Sequence, residues 1–341
     1  MSAVLEPGVG SERPEKCLLE GVLGRLATKQ AHEIAEDLLA VVVVEPLEGW
    51  NRHSLHHLLK RAGRVRCETG EMRIGVIGHV EWVQFLRVAH VPALGEILQA
   101  SSGWEEAGGG GSVAAAEIAR LAGVATLFTV LGDDDWGHRA KAELEELGIR
   151  VEAVFRPEPQ RRAVTFADDG GERTITLVGD KLRPRFDEPL PWEELASFDG
   201  IYFTAGDPEV LRAARRARVL VATARELPTL LAAPELELDA VVSSANDPSE
   251  KYAGELPRTP RLVVKTDGAS GGSYEPGEGR WAAAPLAGAL VDSYGAGDSL
   301  AAGLTVGLAG GRDVPDALAV AADSAARALT RRGAHGAPNQ A

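Results

Sequence analysis

The chain has 341 residues, room for one large α/β domain with an appendage or for two ordinary domains, and its 45% hydrophobic and 25% charged residues describe a soluble globular protein. A formal charge of −14 argues against a nucleic-acid-binding surface, because no basic patch survives such an excess without strong clustering. With Cys17 and Cys67 as the only cysteines, a disulfide framework or zinc cluster is excluded, which suits a reducing cytoplasm.

Residues 1–71 lack a β/α rhythm and hold half of the 8 histidines (His32, His53, His56 and His57). No basic segment followed by an apolar core opens the chain, so no signal peptide is expected. The longest apolar run, Leu38 to Val44, falls far short of the ~20 residues of a membrane span, so no membrane partner is expected. His53, His56 and His57 have no Cys or acid at metal-ligand spacing and read as an ordinary polar segment. The run Met72-Arg73-Ile74-Gly75-Val76-Ile77-Gly78 looks like the fresh start of a protein. Residues 1–71 are therefore expected to be an extension, or to precede the natural start, with a domain over 72–335 and a tail over 336–341.

A short strand opens that domain, and His79 and Glu81 follow it. The segment Val83–Ala100 then breaks the rhythm. Gly108-Gly109-Gly110-Gly111 leads into a helix with Ala114, Ile118 and Leu121 at i, i+4, i+7. Glycines there let the backbone approach a ligand closely and aim N–H groups at its hydroxyls. A flexible linker would not run straight into an amphipathic helix. A strand over Ala125–Leu131 comes next, then an acidic turn (Asp133, Asp134, Asp135) and a helix stopped by Gly148.

The segment Val151–Val178 holds three short β-prone runs, Val151–Phe155, Ala163–Ala167 and Thr174–Val178, which together predict a small separate sheet. Further strands are read at Gly200–Phe203, Val219–Ala222, Ala240–Ser243 and Leu262–Thr266, with helices at Ser299–Leu308 and Pro315–Leu329. The arginines from Arg212 to Arg218 read as a solvated helix face. Alternation of this kind predicts an α/β fold: a doubly wound, mostly parallel sheet flanked by helices, with ligands at the carboxyl ends of the strands.

The most informative run is Asp292-Ser293-Tyr294-Gly295-Ala296-Gly297-Asp298, just before a helix of small residues. A turn of this composition leaves successive N–H groups of Gly295, Ala296 and Gly297 in one concavity at a helix N-terminus, which suits an anion. A carboxylate beside such a hole repels phosphate, but it is well placed to take a proton from a hydroxyl attacking a phosphoryl group. The bland alternative is a helix cap by Asp298. Five matched positions (Asp292, Gly295, Ala296, Gly297, Asp298) weigh against it: at ~7% per residue, chance gives on the order of 10⁻³ such matches in a chain this long.

These residues resemble the signature of the ribokinase-like (PfkB) carbohydrate kinases, usually Asp-Thr-x-Gly-Ala-Gly-Asp. The glycine run at 108–111 resembles that family's second signature, and the resemblance covers about residues 72–335. It implies a ribokinase-like fold with a small β-sheet lid from segments near 83–100 and 151–178. It also implies Asp298 as general base, Gly295, Ala296 and Gly297 as anion hole, and Thr266, Gly268 and Gly271 at the nucleotide. Gly108, Gly109, Gly110, Gly111 and Asp292 would belong to the substrate side. Asp247-Pro248-Ser249-Glu250 resembles the Asn-x-x-Glu that holds magnesium largely through water, with Asp247 in the Asn place and Asn246 one residue earlier as the alternative. Two departures bear on the substrate. Val113 stands at a usual Asn, and Val83 near a usual Asp, leaving Glu81 and His79 as candidates to take over sugar contacts.

The function so implied is ATP-dependent phosphorylation of an alcohol on a small sugar, sugar acid or nucleoside, with ATP and Mg²⁺, an optional monovalent cation, and a homodimer through the lid as one arrangement. No Gly-x-x-x-x-Gly-Lys-[Ser/Thr] occurs, which excludes a P-loop kinase. No Gly-x-Gly-x-x-Gly follows a strand, which excludes a nicotinamide dehydrogenase. The alternative is a catalytically idle nucleotide- or sugar-binding regulatory protein of the same fold.

Overall fold

The computed structural model describes residues 72–168, 170 and 172–336. The extension over 1–71, with its histidines and both cysteines, and residues 337–341 lie outside the described residues. Among the described residues, thirteen strands and six α-helices are ordered as β1 (Ile74–Ile77), β2 (Glu81–Arg87), β3 (Ser102–Gly108), α1 (Gly110–Ala122), β4 (Ala125–Gly132), α2 (Asp135–Glu146), β5 (Ile149–Arg156), β6 (Arg162–Ala167), β7 (Arg173–Val178), β8 (Gly200–Phe203), α3 (Pro208–Ala214), β9 (Val219–Thr223), α4 (Leu227–Leu231), β10 (Ala240–Ser244), β11 (Val263–Thr266), β12 (Gly272–Glu275), β13 (Gly279–Trp281), α5 (Ala296–Ala309) and α6 (Val314–Leu329).

The main sheet has 9 strands in the order β13-β12-β11-β10-β9-β8-β1-β4-β5. It is parallel from β5 to β11, and a β11-β12-β13 meander closes one edge. Its central strands are apolar on both sides, as a sheet covered by helices requires. Ile74, Val76, Leu127, Tyr202 and Val221 pack into one cluster with Ile118 of α1 and Leu300 and Leu304 of α5. Ile77, Phe128, Ile201, Phe203 and Leu220 pack into a second cluster with Leu195, Leu211 and Leu230. Each such side chain contributes about 1.5–3 kcal/mol through burial.

A second sheet of 4 strands, ordered β3-β2-β6-β7, forms a third and smaller cluster around Val83, Phe85, Val113 and Tyr294. Its strands span Glu81–Arg87, Ser102–Gly108, Arg162–Ala167 and Arg173–Val178. The run Val151–Phe155, expected in this sheet, instead lies in β5 at the edge of the main sheet, parallel to β4. The helix α2 between β4 and β5 gives the reason: a strand–helix–strand crossover returns to the same sheet as a parallel neighbour. As an edge strand β5 is half-exposed along much of its length, so its pattern is that of a two-sided small sheet.

Candidate active site

The site gathers at the carboxyl ends of β1, β8, β9 and β10, between the starts of α1 and α5. The sequence places the second of these helices from Ser299, but α5 begins at Ala296, after Gly295 in the left-handed conformation with φ 71°. Ala296, Gly297 and Asp298 thus occupy the first helical turn. No side chain caps it, so its leading N–H groups have no partner within the helix. Gly295 is required by packing as well as by φ, since a Cβ there would stand 2.7 Å from Val113 Cγ1. Around Gly297 the space is open.

Asp298 faces two neighbours that its own motif does not reveal. Tyr202, at the end of β8, donates a hydrogen bond from its hydroxyl to Asp298 Oδ1 at 3.2 Å. Burial raises the Tyr202 hydroxyl well above its ordinary range, and the charge of Asp298 adds to this, so it is a neutral donor. The second neighbour is the glycine run. A Cβ on Gly110 would lie 2.8 Å from Asp298 Oδ1 and 2.8 Å from Thr204 Oγ1, while one on Gly109 (φ 85°) would lie 3.1 Å from Glu81 Cγ. The turn between β3 and α1 therefore threads between the two carboxylates. Its N–H groups are partly engaged: Gly109 donates to the Tyr294 hydroxyl at 2.9 Å and Gly111 to the His79 carbonyl at 3.0 Å.

On the far side of the glycines, His79 and Glu81 form a buried pair, Nε2 to Oε1, at 3.5 Å. Arg161 Nε stands 3.2 Å from the same Glu81 oxygen. Burial lowers the His79 pKa, with the nearby Lys181 charge in support, and this keeps the imidazole neutral. Burial alone would raise Glu81, but its hydrogen bond to His79 and the charges of Arg161 and Lys181 hold it below the ordinary carboxylate range. Lys181 in turn pairs with the buried Glu226 at 3.1 Å, and Arg183 pairs with the other oxygen of Glu226. Neither Arg161 nor Lys181 belongs to a motif legible in the sequence.

Val83 and Val113, the two apolar departures, prove to be related. Both are fully buried in one cluster with Phe85 and Tyr294, beneath the turn that carries Gly295. Asp292 is 1% exposed, and its carboxylate accepts the N–H groups of Tyr294 (2.7 Å) and Gly333 (3.2 Å). It thus braces the loop before α5 and ties it to the C-terminal segment.

On the other side of Asp298, Thr266 ends β11 and its hydroxyl donates to the Ser243 carbonyl at 3.3 Å. Gly268 and Gly271 turn the following loop with φ of 54° and 79°. The Asn246 side chain donates to Asp267 of that loop at 3.5 Å, while Arg225, just after β9, grips both Asp247 (2.9 Å) and Glu250 (2.5 Å). Burial raises the Glu250 carboxyl; Arg225 opposes this and the charge of Asp298 reinforces it. Among the described residues no group of three or more His, Cys, Asp or Glu could hold a metal ion. A magnesium ion that keeps most of its waters needs only one or two carboxylates; the two present here, Asp247 and Glu250, are both paired with Arg225.

The family model for pfkB family carbohydrate kinases matches residues 73–220 and 204–340. An ATP-dependent ribose-1-phosphate kinase from Halopiger xanaduensis is 30% identical over 288 residues, covering 78% of this chain and 95% of that protein. Among solved structures, ribokinase from Cryptococcus neoformans in complex with ADP superposes with a TM-score of 0.61 at 23% identity, covering 77% of this chain and 96% of that one. Adenosine kinase from Sinorhizobium meliloti gives 0.62 at 19%, covering 79% and 97%. These two share the fold. The chain belongs to the pfkB family of carbohydrate kinases.

Proposed function

We propose that this member of the pfkB family transfers the γ-phosphoryl group of ATP to an alcohol of a small sugar-derived acceptor. The observation that carries the reading is the placement of Asp298 in the first turn of α5, beside the uncapped N–H groups of that helix. In the step, the acceptor oxygen attacks the γ-phosphorus and the bond from that phosphorus to the bridging oxygen of ADP breaks. The hydroxyl proton passes to an Asp298 oxygen. Gly295, Ala296 and Gly297 present their N–H groups to the charge that builds on the transferring group, a preorganised stabilisation that costs no rearrangement during reaction. Tyr202 fixes the orientation of the base. Gly108 to Gly111 hold the acceptor between Glu81 and Asp298, with His79 at its edge.

Thr266, Gly268 and Gly271 form the nucleotide loop. Glu250 and Asp247 would hold Mg²⁺ through water, and the ion would supply neutralisation of the nucleotide phosphates. The ribose-1-phosphate kinase likeness makes a pentose 1-phosphate the first acceptor to try, and neutral sugars, sugar acids and nucleosides complete the panel.

The test is acceptor-dependent ADP production by the wild-type chain and by Asp298→Asn. The variant should bind nucleotide normally and lose about 10²–10⁴ in rate. A variant keeping about a third of wild-type turnover would remove Asp298 from the base role. Nucleotide binding without ADP release on any acceptor would favour the catalytically idle regulator.

A further inference from the structure

We infer that Arg161 and Lys181 form the anion-recognition site of the acceptor, so that the preferred substrate already carries a phosphate monoester when its alcohol is phosphorylated. This rests on the kinase reading above and names the class of acceptor.

Three features converge. The first is charge. Arg161, Lys181 and Arg183 face two buried carboxylates, Glu81 and Glu226, and His79 is held neutral. The cluster thus carries one cation more than it has counter-charges, in a chain whose formal charge is −14. Arg183 is 42% exposed and shares Glu226 with Lys181, whereas Arg161 and Lys181 are largely buried, where a cation gains from an added anionic partner.

The second feature is an unmet donor. The Arg161 side chain is 12% exposed, and its Nε, though 3.2 Å from Glu81 Oε1, has no aligned hydrogen-bond partner among the described residues. Lys181 is 16% exposed at its side chain, and its one ion pair among the described residues, to Glu226, leaves the other ammonium protons for a ligand.

Position is the third. Arg161 immediately precedes β6 and Lys181 follows β7 by three residues. The two strands pair Arg162 with Val178, which brings the ends of the hairpin together; a Cβ on Gly179 would stand 3.8 Å from Arg161 Cα. Both cations therefore sit where the small sheet joins the main one. Glu81 connects Arg161 to Gly109, and Gly110 abuts Asp298. An acceptor lying along the glycine turn would reach the cations with one end and the base with the other. A phosphate monoester, with three acceptor oxygens and up to two charges, matches an Arg–Lys pair better than a neutral hydroxyl does.

The experiment measures kcat/KM of the full chain with ATP and Mg²⁺ for ribose 1-phosphate, ribose and ribonate, together with binding of ribose 1-phosphate by calorimetry in the absence of ATP. Ribose 1-phosphate should be preferred over ribose by about 100-fold or more, because buried donors left unpaired reject the neutral sugar. Lys181→Gln should weaken ribose 1-phosphate binding and raise its KM about 10- to 100-fold while leaving KM for ATP unchanged. Arg161→Gln should do the same; if it fails to fold, Lys181→Gln carries the test alone. Equal use of ribose and ribose 1-phosphate would overturn the inference, as would preference for ribonate or an unaltered affinity in Lys181→Gln. Efficient turnover of neutral sugars overturns this inference and leaves the kinase reading standing. Tight ribose 1-phosphate binding lost in Lys181→Gln, with no ADP formed, supports it and sinks the kinase reading instead.

Discussion

The Tyr202 hydroxyl donates to Asp298 Oδ1 across 3.2 Å, joining the end of β8 to the first turn of α5. Tyr202 is 1% exposed and locked in the main core, so its hydroxyl is a fixed point against which the carboxylate is aligned. Replacement by Phe keeps the packing and deletes the donor. Tyr202→Phe should lower kcat about tenfold, in keeping with the loss of one hydrogen bond to a charged group, and leave KM for ATP unchanged. Steady-state kinetics at saturating nucleotide checks this.

Gly110→Ala separates folding from catalysis. Gly110 opens α1 without a positive φ, so alanine suits its backbone and improves helix propensity. The new methyl would nevertheless stand 2.8 Å from Asp298 Oδ1 and displace that carboxylate, the proposed base. A loss of about 100-fold in kcat is expected, since a misplacement near 1 Å costs on that order, with only a small fall in melting temperature from the crowding of the Thr204 hydroxyl. Thermal melts and rate assays on one preparation measure both.

Glu106 makes stability depend on pH. Burial lifts its carboxyl from 4.5 to about 7; hydrogen bonds from Ala334 and Trp104 and the Arg332 charge oppose this, and Glu143 adds to it. Between those two values the folded chain holds a proton that the unfolded chain has lost. Stability should therefore fall as pH rises from about 4.5 to about 7, by on the order of 3 kcal/mol, and stay low above. Glu106→Gln mimics the protonated form and should flatten the profile. Melting temperatures at pH 5 and pH 8 decide it: the variant should match wild type at the lower pH and exceed it at the higher.

A chain beginning at Met72 should retain the activity. Every group placed in the site, from His79 to Asp298, falls within the unit Met72–Ala341. Expression of that shorter chain, followed by the ADP assay, tests this; folded but inactive protein would assign residues 1–71 to the working domain.

Much of this architecture is legible in the sequence because it is written locally. Gly200–Phe203 is read to the residue, and the strands at Val219, Ala240 and Leu262 to within one, since each is a short apolar run bounded by turn residues. The start of α5 is read three residues late because glycine and alanine before Ser299 look like loop. What the sequence conceals is contact over distance. Tyr202 lies 96 positions from Asp298, and Arg225 lies 22 from Asp247. Neither stands in a pattern, and only the parallel sheet brings their strand ends together. Val83 and Val113 illustrate the same limit: each alone is a missing polar contact, and only the fold reveals them as two halves of one apolar cluster.

The connection between the sheets has a mechanical corollary. Between β1 and β2 run only Gly78, His79 and Val80, so one strand passes into the other through a short stub. A rigid rotation of the small sheet about this stub would pivot at these three residues. The 7 residues of β2 make an arm of roughly 23 Å at ~3.3 Å per residue, so a swing of ~10° carries its tip about 4 Å. Glu81, the first residue of that arm, would travel less than about 1 Å through the same swing, as would the neighbouring His79. The residues proposed to recognise the acceptor would thus sit at the fulcrum, where amplitude is least, and the far end of the strand would move most.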